Sequence, residues 1–390
     1  MIEKRLFCGE KISRLGMGNM RLPQKSDGTI DKEKGFEIID YLYEHGVNYY
    51  DTAYVYHHGE SEEFIGEALA KYPRDTWYIA SKTPGHLVNP DYAPAEMFER
   101  QLKRAEIDYY DFFLLHNVSE KTIDTYTDPE LRVLEYFLEQ KAKGRIKHLG
   151  ISTHGQPDMI ESYMKRYGEH IEFVQLQINY IDWTLQNAKE KYDYITGLNK
   201  PIIVMEPCRG GKLAALSEDA ERKLKEACPD NSIASWAYRY VGSLDNAAII
   251  LSGISTMEQA VDNVKTFDDF KPLNEDESRL LDSVSEEMMT LVPCTGCGYC
   301  VDGCPQSLNI PRLLKLYNDS KFAPSLTSNM ALIALPEDQR PSACIECGAC
   351  AAVCPQEIDI PGAMMDFVEK YKEGPDWDKI SRERIKQDRK

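Results

Sequence analysis

The sequence lacks an apolar run long enough to cross a membrane, although 42% of its 390 residues are hydrophobic. It also lacks an N-terminal signal in which charged, apolar and small residues follow one another, so we expect a cytoplasmic protein. Positive charge is scarce, because 46 Lys and Arg stand against 64 Asp and Glu and give a net charge of −18. Since the phosphates of nucleic acid require Lys and Arg, we expect no nucleic-acid partner, and no membrane partner either.

Another missing feature is a G-x-G-x-x-G motif after a strand, and its absence disfavours an open dinucleotide-binding sheet. Strand-like and helix-like segments alternate instead, after a predicted β-hairpin over residues 1–12. Eight such units favour a closed (β/α)8 barrel, an α/β fold of the TIM-barrel type. The predicted strands cover 13–18, 47–50, 76–81, 110–115, 146–151, 172–178, 201–205 and 247–251, and the predicted helices cover 33–45, 61–71, 95–106, 129–143, 157–167, 185–197, 217–227 and 256–267.

Cysteine is abundant, and eight of the eleven cysteines lie in two short runs near the C-terminus. Residues 294–311 and 344–361 both contain C-x2-C-x2-C-x3-C-P-Q and end in Ile-Pro, so they form an internal repeat. This spacing is typical of two 4Fe–4S clusters, in which the fourth cysteine of each run binds the other cluster. A zinc site with four cysteine ligands is the alternative, but the proline after each set of four cysteines favours the clusters. The expected ligands are Cys294, Cys297, Cys300 and Cys354 for one cluster, and Cys344, Cys347, Cys350 and Cys304 for the other.

The repeat also indicates how the chain is divided. We assign residues 1–272 to the barrel and 273–292 to a connecting helix. Residues 293–372 form a small, mainly helical, ferredoxin-like domain, and 373–390 form a charged tail. Within the small domain we expect helices over 312–319 and 362–371, because the proline of each Ile-Pro pair fits the first helical position.

Side chains suited to proton transfer follow three neighbouring strands of the predicted barrel. Asp51, Lys82 and His116 stand at the ends of the second, third and fourth strands, and Tyr56 lies on the loop after the second. Active sites of such barrels are built where the strands end. An ammonium stabilises a neighbouring phenolate and brings the tyrosine pKa closer to neutrality, while a carboxylate holds the ammonium in place. We therefore expect Tyr56 to donate a proton to a carbonyl oxygen that His116 orients.

Each of these residues has an ordinary role when it occurs alone. A lone Asp after a strand is usually a helix cap, a lone Lys is solvated, and a lone His is often a structural residue with satisfied hydrogen bonds. Their occurrence at consecutive strand ends favours a common site.

The same residues carry a resemblance to a known family. DTAYVY at 51–56 with GESEEFIGEAL at 59–69, IASK at 79–82 and DFFLLH at 111–116 resemble signature regions of the aldo-keto reductases, and the resemblance covers roughly residues 1–270. It implies that Asp51, Tyr56, Lys82 and His116 are the catalytic tetrad of that family. The family commonly has a glycine directly after the tyrosine, whereas this chain has His57 and His58, which either face the substrate or lie at the surface.

The resemblance also implies a nicotinamide coenzyme across the strand ends. Ser152 and Gln177 match residues that hold the carboxamide, while Thr153 replaces an asparagine and Met205 replaces a ring-stacking tyrosine. Glycine and glutamine replace the lysine and arginine that usually clamp the 2′-phosphate, so both NADPH and NADH stay open, with NADPH favoured. The implied coenzyme-binding residues are Ser152, Gln177, Met205, Pro207, Cys208, Gly210, Gly253, Ser255, Gln259 and Asn263.

Three functions remain open at this point, because a hydride carries two electrons and each cluster carries one. In the first, the barrel reduces a small carbonyl substrate with NAD(P)H while the clusters exchange electrons with a partner protein or serve structure. In the second, the chain is an electron-transfer oxidoreductase with a flavin in the barrel mouth. In the third, it senses redox state and its barrel only binds coenzyme. The intact tetrad favours the first.

Overall fold

The computed structural model describes residues 1–90, 93–120, 122–288, 292, 294, 298–322, 332, 335–354 and 358–373. Contacts between residues divide the chain into two compact units. One contains residues 1–214 and 223–281, and the other contains residues 215–222 and the chain from 282 onward. Cys297 and the predicted tail beyond residue 373 lie outside the described residues.

The first unit contains a closed barrel of eight parallel strands, which confirms the predicted (β/α)8 architecture. Neighbouring strands follow the chain order from β3 to β10, and β10 pairs with β3 to close the barrel. The two remaining strands form the predicted antiparallel hairpin. The strands are β1 Lys4–Phe7, β2 Glu10–Ser13, β3 Leu15–Gly18, β4 Tyr49–Asp51, β5 Tyr78–Pro84, β6 Tyr110–His116, β7 Ile146–Thr153, β8 Phe173–Gln177, β9 Ile202–Met205 and β10 Ala247–Gly253.

The hairpin closes the end of the barrel where the strands begin. Phe7 is buried there, with its ring centroid 5.3 Å from that of Phe112 and 5.4 Å from that of Phe173. Asn48 joins the hairpin to the barrel, since its Oδ1 accepts a hydrogen bond from Ser13 N at 2.7 Å and its Nδ2 donates to Lys11 O at 3.0 Å. A site in this barrel is therefore restricted to the opposite rim, where the strands end.

Helices surround the barrel at the predicted places, and the structure adds α4, α7 and α10. Helix α10 is buried on nearly every side, and it lies between α9 and the strand β10, where the sequence analysis places no second helix. The helices from the barrel to the end of the connecting segment are α1 Lys32–Glu44, α2 Glu60–Leu69, α3 Pro94–Ala105, α4 Ile123–Thr127, α5 Val133–Ala142, α6 Pro157–Tyr167, α7 Asp182–Leu185, α8 Ala188–Gly197, α9 Glu218–Ala227, α10 Ile233–Gly242, α11 Met257–Asp268 and α12 Glu275–Met288.

The second unit repeats one helical pattern, as the cysteine repeat predicts. Within the part of this unit that the structure describes, the helices include α13 Tyr299–Asp302, α14 Ile310–Phe322, α15 Ala349–Ala352 and α16 Ile360–Glu373. Helix α13 packs on α15, and α14 packs on α16. Gly298 and Gly348 precede the two short helices with φ of 83° and 74°, a left-handed conformation that glycine adopts at little cost. The two copies therefore pair with each other around one apolar core.

The close approach of α2 and α3 leads to a test of the fold. A Cβ added at Gly66 would lie 2.2 Å from the carbonyl oxygen of Ala105, so Gly66→Ala requires the two helices to separate. We expect this variant to lose about 1–3 kcal/mol of unfolding free energy, measured by urea denaturation.

Gly197→Ala is the matched control, because that helical position has no heavy atom within 4 Å of an added Cβ. We expect it to be neutral or to stabilise the chain by up to about 1 kcal/mol. Equal urea midpoints for Gly66→Ala and wild type would contradict the described packing of α2 on α3.

Candidate active site

The four side chains of the predicted proton site converge on one rim of the barrel. Asp51 ends β4, Lys82 lies near the end of β5, and His116 ends β6. Tyr56 begins a 3-10 turn, Tyr56–Gly59, directly after β4. Because adjacent parallel strands place their ends at the same rim, residues far apart in sequence become neighbours there.

Lys82 lies at the centre of this group. Its ammonium donates to Asp51 Oδ1 at 2.5 Å, to Thr52 O at 2.8 Å and to Tyr56 Oη at 3.3 Å. The side chain is 1% exposed, so these three acceptors replace the water that the ammonium loses on burial. The rings of Tyr56 and His116 stand edge to face, with centroids 6.0 Å apart.

The pKa values of this group follow from burial and the central ammonium. Burial lowers the pKa of Lys82, but Asp51 and Tyr56 outweigh it and leave the pKa above its usual value. Burial raises the pKa of Tyr56, and the opposing effect of Lys82 is smaller. Lys82 lowers the Tyr56 pKa, as the sequence analysis predicts, but desolvation of the phenolate outweighs it. The expectation that the net pKa lies closer to neutrality is therefore wrong. The phenol is protonated at neutral pH.

A buried carboxylate behind the loop, Glu62, was not identified from the sequence. It accepts hydrogen bonds from Ser81 Oγ at 2.6 Å and Gln101 Nε2 at 2.7 Å, and its Oε2 lies 3.3 Å from Arg104 Nη1. Burial raises the pKa of Glu62, while these three donors act in the opposite sense. The segment around Glu62 carries the family resemblance, but nothing in its sequence indicates which partners surround it.

The same network holds the backbone on both sides of the proton site. Arg104 Nη1 donates to Tyr54 O at 3.2 Å, two residues before the phenol, and Gln101 Nε2 donates to Lys82 O at 3.2 Å. A Cβ added at Gly59 would lie 2.6 Å from Arg104, so the loop passes over the guanidinium only with glycine there. The network thus positions Tyr56 and Lys82 relative to each other.

One cavity of about 820 Å³ opens at this rim. The four residues of the proton site line it, and so do His57 and His58 from the following turn. Of the coenzyme-binding residues expected from the sequence, those in the cavity wall are Ser152, Met205, Pro207, Cys208, Gly210, Gly253, Ser255, Gln259 and Asn263. Side chains in the wall that sequence reasoning did not assign include Arg21, Gln24, His154, Gln175, Glu206, Tyr238 and Asp262.

Gln177 is the expected coenzyme-binding residue that the cavity wall does not include. Its Nε2 donates to Asp182 Oδ2 at 2.7 Å. Gln175, two residues earlier, lines the cavity instead. Residues i and i+2 of a strand face the same side, so the sequence does not decide whether Gln175 or Gln177 lines the cavity.

The two polar side chains at the end of β7, Ser152 and Thr153, point in different directions. Ser152 lines the cavity, and its Oγ accepts a hydrogen bond from Asn117 N at 2.8 Å. Thr153 is buried, and its hydroxyl donates to Val118 O at 2.6 Å. The Thr153 hydroxyl therefore binds the neighbouring backbone. The resemblance implies an asparagine at this position that holds the coenzyme carboxamide.

In the second unit, cysteines of the two runs come together. A small pocket is lined by Cys344, Cys347 and Cys350 of the second run and by Cys304 of the first. This is the set that the sequence analysis assigns to one cluster. Cys300 is buried and Cys294 and Cys354 are half-buried in the same unit, and Cys297, the fourth expected ligand of the other cluster, is not described.

Comparison with known proteins agrees with both units. A model of the aldo/keto reductase family matches residues 14–286, and a model of a 4Fe-4S dicluster domain matches residues 293–358. The chain belongs to the aldo/keto reductase family. The dicluster match supports iron–sulfur clusters over the zinc alternative.

Individual relatives of this aldo/keto reductase cover the barrel. The uncharacterized oxidoreductase YqkF of Bacillus subtilis is 27% identical over 303 residues, which are 71% of this chain and 94% of that protein. The holo form of aldo-keto reductase AKR11C1 from Bacillus halodurans is 28% identical, with a TM-score of 0.60 over 73% of this chain and 96% of that one. An aldo-keto reductase from Klebsiella pneumoniae in complex with NADPH shares the fold at 18% identity, with a TM-score of 0.61 over 73% of this chain and 95% of that one. Within the described residues, no helix combines the length and apolar character that a membrane span requires.

The pocket shared by the two cysteine runs leads to a test of ligand assignment. We expect the anaerobically purified reductase to hold about eight iron atoms per chain and Cys304→Ala to hold about four. If Cys304 and Cys344 bind the same cluster, the double variant Cys304→Ala/Cys344→Ala retains as much iron as either single variant. Iron content close to zero in the double variant would show that the two residues bind different clusters. Cys228→Ala, outside both runs, is the control and should keep the wild-type iron content.

Proposed function

We propose that the barrel reduces an aldehyde or ketone by hydride transfer from NADPH or NADH, with Tyr56 as general acid. The observation that carries this proposal is the hydrogen bonding of Lys82 Nζ to both Tyr56 Oη and Asp51 Oδ1 at the wall of a large cavity. Family membership supports the reaction class.

The four residues have separate tasks in this reaction. A nicotinamide coenzyme held in the cavity would supply the hydride for the carbonyl carbon. Tyr56 donates its phenolic proton to the carbonyl oxygen as negative charge develops there, and Lys82 stabilises the phenolate that remains. Asp51 holds the ammonium, and His116 hydrogen-bonds to the carbonyl oxygen and orients it. Because burial raises the pKa of Tyr56, the acid form is present at neutral pH.

The cavity has features that fit a dinucleotide coenzyme. Gln175 Oε1 is buried with no hydrogen-bond partner among the described residues, so it can accept from an amide N–H such as that of a carboxamide. Gly210 and Gly211 adopt φ of 68° and 91° in the loop after β9, where the absence of side chains lets a phosphate approach the backbone.

Arg21 is the residue we propose to contact a coenzyme phosphate. Among the described residues of the cavity wall, it and Lys82 carry permanent positive charge. Lys82 is paired with Asp51, and Arg21 Nη2 lies 3.8 Å from Glu206 Oε1. A Cβ added at Gly253 would lie 3.0 Å from Arg21 Cδ, so the arginine occupies the space of the lysine that the family usually has there. One half-exposed cation gives a modest preference for NADPH over NADH.

A ferredoxin-linked electron-transfer reaction is the second candidate function, and the dicluster domain favours it. Because nicotinamide exchanges electrons in pairs, this reaction needs a group such as a flavin to convert them into single electrons. In the first candidate function, the clusters exchange electrons with a partner protein or stabilise the second unit. If the chain binds coenzyme but reduces no carbonyl compound, the redox-sensing function remains.

Substitution of the proton donor tests the proposal. We expect Tyr56→Phe to lower kcat for NAD(P)H-dependent reduction of an aldehyde by about 10²–10⁴-fold, because the hydroxyl that protonates the oxygen is removed. The assay follows NADPH or NADH absorbance with anaerobically prepared protein that retains its iron. Tyr41→Phe, on helix α1 away from the cavity wall, is the control and should keep wild-type kcat.

Two results would contradict the proposal. Wild-type kcat in Tyr56→Phe would show that the phenol does not supply the proton. A requirement for reduced ferredoxin, together with a flavin absorbance spectrum in the purified protein, would favour the second candidate.

A further inference from the structure

The cavity wall differs in composition between two parts of the barrel. On one side of the cavity the wall residues lie on or after strands β3 to β7. On the other side they lie on or after strands β8 to β10. Four of the eight histidines of the chain line this cavity, and all four follow or end strands of the β3–β7 side. We call His57, His58, His116 and His154 the imidazole wall. It lies on the side that carries Tyr56, where a substrate carbonyl must bind for Tyr56 to protonate it.

Two of these imidazoles are held in a backbone conformation that is unfavourable for histidine. His57 and His58 have φ of 48° and 56°, in the left-handed region. This conformation costs a residue with a Cβ about 1–3 kcal/mol, and glycine avoids most of that cost. Backbone strain of this kind is characteristic of functional sites, because surrounding contacts must maintain it. The contact here is a hydrogen bond of 3.2 Å between Gln24 Nε2 and His57 Nδ1.

The third imidazole, His154, lies beside a buried polar network. The network begins at Gln177, whose Nε2 donates to Asp182. Asp182 is fully buried and also accepts from Asn179 Nδ2 at 2.7 Å and from Arg209 Nε at 3.2 Å. The network therefore fixes Gln177, and His154 lines the cavity next to it.

The charge state of two of these imidazoles indicates which groups they suit. Burial lowers the pKa of both His57 and His154, so these rings are neutral at neutral pH. Because the amide Nε2 of Gln24 only donates, His57 Nδ1 must accept and the ring proton lies on Nε2. A neutral imidazole offers one donor and one acceptor, which matches a hydroxyl group better than a carboxylate, which only accepts.

The same side offers little surface to an aromatic ring. Its apolar side chains among the described residues of the wall are Met20 and Val55, and it has no Phe, Trp, Leu or Ile. Sites for aryl or long alkyl substrates are lined mainly by apolar and aromatic side chains. The imidazole wall with Gln24 instead provides several hydrogen-bonding groups close to the proton donor.

We propose that the substrate is a small, uncharged carbonyl compound that carries hydroxyl groups, and that His58 and His154 bind those hydroxyl groups. This inference rests on the carbonyl reduction proposed above and specifies its substrate class. Two hydrogen bonds worth about 1 kcal/mol each correspond to a preference of about 30-fold over an analogue without hydroxyl groups.

The test compares two aldehydes of equal chain length. For the full-length, iron-loaded protein we expect kcat/KM for glyceraldehyde, corrected for its hydrated fraction, to exceed that for propanal by about 30-fold. His58→Gly removes one imidazole and also relieves the left-handed strain, so the variant should fold, and its preference should fall about fivefold. His58→Asn should recover part of the preference, since asparagine tolerates this backbone conformation and retains a donor and an acceptor.

His154→Leu should lower the same ratio, whereas His170→Leu, outside the cavity wall, should leave it unchanged. Equal kcat/KM for glyceraldehyde and propanal, or higher values for benzaldehyde or for the anion glyoxylate, would overturn the substrate class and leave carbonyl reduction intact. Absence of turnover with all four aldehydes would contradict the proposed function itself, and this inference with it.

Discussion

The buried ammonium of Lys82 is the feature on which the rest of the site depends. It donates three hydrogen bonds to three acceptors on the segment between Asp51 and Tyr56, and it is almost completely shielded from water. Removing one partner of such a buried pair typically costs about 3–5 kcal/mol, because a charge is left without compensation. The position of the phenol and the charge of the carboxylate are therefore linked through one side chain.

The barrel provides the setting that this interaction needs. Closure of the sheet brings three strand ends to one rim, and the hairpin around Phe7 closes the other end of the barrel. The Glu62 network then fixes the loop that carries Tyr56, through Arg104 and Gln101. The barrel and the Glu62 network thus both restrict the positions of Tyr56 and Lys82.

Much of this arrangement could be predicted from sequence, because it depends on order along the chain. Alternation of strands and helices predicts the barrel, and residue types at strand ends predict which side chains share the rim. What could not be predicted depends on contacts between distant segments. The choice between Gln175 and Gln177 depends on depth in the sheet, and the high pKa of Tyr56 depends on how completely the loop excludes water. The sequence does not identify His154 as a residue of the cavity wall, because a single histidine after a strand has many ordinary roles. Helix α10 was missed because the sequence analysis assigned a single helix, 217–227, to the interval between the strands 201–205 and 247–251.

Lys82 lowers the pKa that burial raises at Tyr56, and the alkaline limb of the pH–rate profile tests this effect most directly. In the proposed reaction Tyr56 is the acid, so activity is present below the pKa of Tyr56 and is lost as pH rises through it. Since Lys82 lowers that pKa, the limb should move to higher pH in Lys82→Met, together with a lower kcat. An alkaline limb that stays in place, or moves to lower pH, would contradict the account.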